Sequence, residues 1–179
     1  MPTENLRHTV VVVVSFAVLC LPTTVNAQEE PLRRGFWLSF GFGGGFAIAD
    51  EAVDGTSLAY YLRLGGTPSE KFTIGGEMLF LMEADAFREY PDEGPHGRAA
   101  MTLTGLYFPV SQKGWFLKGG LGYGIMDAES LGFAVDGGAG IDLRVGGNFS
   151  ITPTLDVFLI ANEDQTVAHL LLTIGATWH

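Results

Sequence analysis

The sequence predicts an all-β protein, a closed eight-stranded antiparallel up-and-down transmembrane β-barrel. Three observations predict it. Eight segments alternate large apolar side chains with small or polar ones at period two, the spacing that sends successive side chains to opposite faces of a strand. The connections between them alternate between tight turns and longer loops, as they must when hairpins meet at two ends of a barrel. The polar face of the segments is rich in glycine and holds its few charges in mid-strand.

The first segment, 35–48, sets Phe36, Leu38, Phe40, Phe42, Phe46 and Ile48 against Ser39, Gly41, Gly43, Gly45 and Ala47, with Trp37 the one large residue on the small side. The second, 57–65, sets Leu58, Tyr60, Leu62 and Leu64 against Ser57, Ala59, Tyr61 and Arg63. The third, 71–83, sets Phe72, Ile74, Met78, Phe80 and Met82 against Lys71, Thr73, Glu77 and Glu83, while Leu79 and Leu81 interrupt its polar face. In the fourth, 98–108, Met101, Leu103 and Tyr107 oppose Arg98, Thr102 and Thr104. In the fifth, 115–125, Trp115, Leu117, Leu121, Tyr123 and Ile125 oppose Lys118, Gly120, Gly122 and Gly124.

The sixth, 132–145, carries Phe133, Val135, Ala139, Ile141, Leu143 and Val145 opposite Asp136, Gly138, Gly140, Asp142 and Arg144. The seventh, 149–160, places Phe149, Ile151, Leu155, Val157 and Leu159 opposite Ser150, Thr152, Thr154 and Asp156, and its Pro153 must forgo one ladder bond. The eighth, 167–179, places Leu170, Leu172, Ile174, Ala176 and Trp178 opposite His169, Thr173, Gly175 and Thr177. Tight turns are expected at 66–70, 110–114 and 146–148, and longer loops at 49–56, 84–97, 126–131 and 161–166. The loop end gathers twelve carboxylates (Asp50, Glu51, Asp54, Glu83, Asp85, Glu89, Asp92, Glu93, Asp127, Glu129, Glu163 and Asp164) against one arginine, Arg88.

Composition narrows the function classes. Of 179 residues 47% are hydrophobic and 17% charged, which excludes a disordered chain, and a net charge of -10 argues against nucleic acid as a partner. The single cysteine, Cys20, supplies neither a disulfide nor a thiolate metal site. Arg7 and His8 precede the apolar run 9–21, Pro22 ends it, and Val25-Asn26-Ala27 offers a cleavage site, so 1–27 is expected to be a signal peptide, 28–34 a short periplasmic leader and 35–179 the barrel domain.

The phase of the alternation separates a membrane barrel from a soluble one. A soluble exported ligand-binding barrel of lipocalin type would turn its apolar face inward, leaving an exterior of Gly, Ser, Thr and Ala with unusually few charges. The opposite phase meets lipid with Phe and Leu and is expected here; the outer-membrane lipid is then the partner. Inside so narrow a barrel, Arg63, Arg98, Lys118 and Arg144 are expected to form a lumen ion-pair network with Glu77, Asp136, Asp142 and Asp156, leaving no open pore.

Strands of this pattern, with glycine-rich runs such as Gly119-Gly120-Leu121-Gly122-Tyr123-Gly124, resemble the small eight-stranded outer-membrane β-barrel family of the OmpA and OmpX type, a porin-like domain. The resemblance covers 35–179 and implies location in a bacterial outer membrane, a structural or surface-interaction role rather than an enzymatic one, and no cofactor. It also implies a terminal aromatic residue, whereas here Trp178 is followed by His179, and no peptidoglycan-gripping domain is expected after it.

Other chemistry is faint. The run 41–46 lacks the last glycine of a nucleotide loop, and no helix follows it. His96, His169 and His179 are too scattered for a metal motif. A less favoured alternative is a lipid-modifying outer-membrane hydrolase using Ser57, Ser130 and His96 near the loop rim. The acidic loops are candidates for divalent cations or surface ligands. Asn148-Phe149-Ser150 is read as a turn rather than a glycosylation site.

Overall fold

The computed structural model describes Arg33 and residues 35–49, 52–83, 97–126, 130–163 and 165–179; the expected signal peptide and most of the acidic loop residues lie outside them. Pro31–His179 form one compact unit. Its strands are β1 (Gly35–Ala49), β2 (Ala52–Ser69), β3 (Phe72–Glu83), β4 (Gly97–Tyr107), β5 (Trp115–Met126), β6 (Ser130–Ile141), β7 (Leu143–Gly146), β8 (Phe149–Ala161) and β9 (Thr166–Trp178). Each pairs antiparallel with its neighbour in the order β6-β5-β4-β3-β2-β1-β9-β8-β7, and a further β6–β8 pairing closes the ring. β6 and β7 are two lengths of one stave, so the barrel has eight staves.

The interruption within that stave departs from the unbroken segment the sequence suggests, and Pro153 explains it. β6 pairs with β8 as far as Gly140↔Thr154, and β7 resumes with Leu143↔Ile151 in the same register. The missing partners face Thr152 and Pro153, and a proline has no N–H to donate. On the other side of the stave Asp142 donates its N–H to the carbonyl of Gly114, which turns at φ 71°. Ile141 keeps the outward phase but is buried beside this break, with Trp115 opposite it in register, rather than facing lipid as expected.

The side-chain phase is otherwise the one that meets lipid. Phe36, Phe42, Leu58, Leu64, Leu103, Leu121, Phe133 and Leu172 are exposed, whereas Arg63, Glu77, Lys118, Asp136 and Asp156 are buried. From Phe36 to Ile48 the outward apolar row covers ~40 Å of strand, or ~28 Å along a barrel axis inclined at ~45°, which matches the hydrocarbon layer. Aromatic rings crowd the turn end of this band, where Trp178 packs on Phe40 at 5.6 Å and on Phe149 at 4.8 Å between ring centres.

Boundaries differ from expectation at both ends. Ala52–Thr56, read as loop, continue the ladder with β1 past a bulge at Ala47/Ile48, and Gly66–Ser69, read as turn, extend β2. Among the described residues the connections after β1, β5 and β8 are therefore as short as those at the turn end. Once a strand leaves the hydrocarbon its outward positions no longer have to be apolar, so the alternation stops before the hydrogen bonds do.

Leu121→Arg, outward on β5 and 59% exposed, is expected to cost ~2 to 4 kcal/mol if the residue meets the middle of a bilayer. Denaturant unfolding from lipid vesicles measures it, and an unchanged midpoint would contradict the outward phase.

Candidate functional site

The lumen is filled in three levels. At the turn end Trp37, Leu106, Phe108 and Phe116 form one buried apolar cluster. At the loop end a second cluster includes Ala47, Leu79, Leu81, Met126, Phe158, Ile160 and Leu171. Trp37, Leu79 and Leu81, which break the alternation in the sequence, are thus the residues that plug the two ends. Glycine makes room for the inward ring of Tyr61: a Cβ on Gly41 would lie 2.6 Å from it, and one on Gly175 would strike its hydroxyl.

Between the plugs lies a charged ring. Lys118 Nζ, on β5, sits 2.9 Å from Glu77, 3.1 Å from Asp156 and 3.3 Å from Asp136. Arg63, on β2, reaches Glu77 at 2.9 Å and Asp156 at 3.3 Å and lies over the Tyr61 ring at 3.9 Å. Thr102, Thr104 and Asp136 continue the chain of contacts, with Thr104 Oγ1 donating to the carboxylate at 3.5 Å. Three carboxylates thus share two cations in a buried interior, where each charge is costly unless paired.

The structure brings together five of the eight residues singled out from the sequence: Arg63, Glu77, Lys118, Asp136 and Asp156. Arg98 lies half-buried at the loop end, within electrostatic reach of His169. Arg144 is half-buried on β7. Asp142 belongs to a separate group at the turn end. Its Oδ2 accepts from His179 Nε2 at 2.9 Å and lies 3.3 Å from Arg33 Nε. Arg33 also donates to the Ser111 carbonyl at 2.8 Å and stacks on Phe108 at 3.9 Å. The internal cavity bordering this group and Arg63 measures about 10 Å³, the room of one water at most.

No protein-family model matches the chain, and no curated protein is similar to it in sequence. Solved structures are similar in fold. Neisserial surface protein A superposes with a TM-score of 0.64 at 11% identity, covering 80% of this chain and 96% of that one. Ail, the attachment invasion locus protein of Yersinia pestis, superposes with 0.56 at 16% identity, covering 81% and 99%. This is the fold of the small eight-stranded outer-membrane β-barrels. The apolar exterior agrees with that fold.

The hydrolase candidates are described only in part. His96 lies outside the described residues, and Ser130 bonds the Met126 carbonyl. Ser57 instead meets His169 Nδ1 at 3.4 Å, a pair that sequence spacing does not reveal. Both are buried at the level of the loop-end plug, with no described opening for a substrate. Among the described residues no three His, Cys, Asp or Glu side chains are grouped to hold a metal.

Removing the central cation should be costly. Lys118→Met leaves three buried carboxylates with Arg63 alone, and a loss of ~3 to 5 kcal/mol is expected, with Asp136→Asn in the same chain recovering part of it. Unfolding midpoints of the single and double variants check this.

Proposed function

We propose that the protein is an outer-membrane barrel with a structural or surface-interaction role, carrying no open pore and no enzymatic chemistry. Residues 1–27 would direct its export, 28–34 would lie in the periplasm as a short leader, and 35–179 would form the barrel. The observation that carries this reading is the filled lumen: an ion-paired ring held between two apolar plugs, with room for one water beside it. Arg63, Glu77, Lys118, Asp136 and Asp156 serve on this reading as a structural network rather than as a transport path.

The loop end would supply the interaction. Ail has been seen in complex with the heparin analogue sucrose octasulfate, a polyanion. The loop end here carries twelve carboxylates against Arg88 and the half-buried Arg98, so the complementary ligand is a divalent cation or a basic surface, not a sulfated one. Planar-bilayer recording should show no stepwise conductance from the purified barrel. Steps of a fixed size that lumen substitutions alter would contradict the closed lumen; calcium that leaves loop-region resonances unmoved would contradict the cation reading.

A further inference from the structure

The lipid-facing wall has a groove near its periplasmic end. It measures about 450 Å³ and is walled by Phe72 and Ile74 of β3, Leu103 and Tyr107 of β4 and Leu117 of β5. Its floor is backbone, because Gly105 and Gly119 stand opposite each other in register, and Gly137 continues the row onto β6. The barrel's own packing does not demand two of these glycines, Gly119 and Gly137. A Cβ at Gly43, Gly65 or Gly122 would strike a neighbouring backbone, whereas one at Gly119 meets nothing within 4 Å and one at Gly137 comes no closer than 3.9 Å. Glycine weakens a strand, and where internal space does not call for it, it marks a close approach from outside.

What approaches is set by position and charge. The groove opens onto the apolar exterior, a surface already in contact with acyl chains. Its turn-end border is where β3 begins after Lys71 and where the β4–β5 turn carries Lys113, both exposed. The backbone bond from Phe108 N to the Lys71 carbonyl, 2.8 Å, joins these two turns. Glu70 is the acidic neighbour in the first of them. A second copy of the barrel would set like-charged lysines against each other, and a groove this narrow falls short of the ~800 Å² per partner of a stable interface.

We propose that this groove holds one acyl chain of an anionic glycerophospholipid of the periplasmic leaflet, its phosphate reached by Lys71 and Lys113. The proposal rests on the membrane reading and adds a defined lipid site to it. The full chain, expressed with its own leader and extracted in detergent, can be mixed with phosphatidylglycerol and followed by native mass spectrometry. One retained lipid is expected, with retention about tenfold lower for Gly119→Leu and for Lys71→Gln/Lys113→Gln. Leu172→Ala, outward on β9 away from the groove, should retain it. Equal retention by Gly119→Leu and the parent would overturn the site, as would a dimer that Gly119→Leu abolishes, since the occupant would then be a second copy. A preference for lipopolysaccharide over phosphatidylglycerol would overturn the choice of leaflet. Failure of the membrane reading itself shows separately, as a chain that stays monomeric without detergent.

Discussion

Everything in this barrel follows from the absence of hydrogen-bond partners in hydrocarbon. A strand crossing lipid must have both edges paired, so the sheet closes on itself, and the β1–β9 and β6–β8 ladders leave no full-length strand with a free edge. Pro153, inside β8, shows how firm this is. Pro153 removes a donor, but it does so close to the turn end, where the facing stave itself breaks at Asp142 and asks no ladder bond of it. In the middle of the bilayer the same loss would have no such remedy.

Closure with eight staves then fixes what the lumen can hold. The interior is wide enough for side chains and little more. Small residues on the inner face let a few large ones in, and the large ones segregate by level: aromatic rings at the turn end, aliphatic side chains mostly at the loop end, and long charged chains between. The charges sit where two apolar plugs keep water away, which strengthens each pairing but makes any unmatched charge expensive. With three carboxylates around two cations, this ring is a poor place to lose either base.

Much of this is legible in the sequence because period-two alternation is the direct imprint of two different surroundings on a strand's two faces. The outward phase was legible too, since mid-strand Arg63, Glu77, Lys118 and Asp156 have no place in lipid. Strand ends were not, because beyond the hydrocarbon nothing enforces alternation; residues 52–56 carry loop-like Asp54 and Gly55 yet pair with β1. The plugs were present in the sequence only as exceptions. Trp37, Leu79 and Leu81 disturb the pattern, and a single segment cannot show that such disturbances from different strands meet at one level. Register supplies that information, and it also separates Asp142 from the central ring and joins Ser57 to His169.

The turn-end group around Asp142 shows why a buried carboxylate belongs there at all. Arg33 precedes β1 and His179 follows β9, and both reach the same oxygen of Asp142, on the stave that breaks across the lumen from them. One acceptor therefore ties the segments flanking the β1–β9 closure to β6 and β7, while Arg33 lays its guanidinium on the Phe108 ring of the plug. An apolar residue at 142 would pack, but it would hold neither side chain, and the end of the lumen would lose the polar contacts that orient its aromatic seal. The break forced by Pro153 supplies the opening into which this carboxylate fits, so a local defect in the ladder becomes the anchor for the end of the barrel.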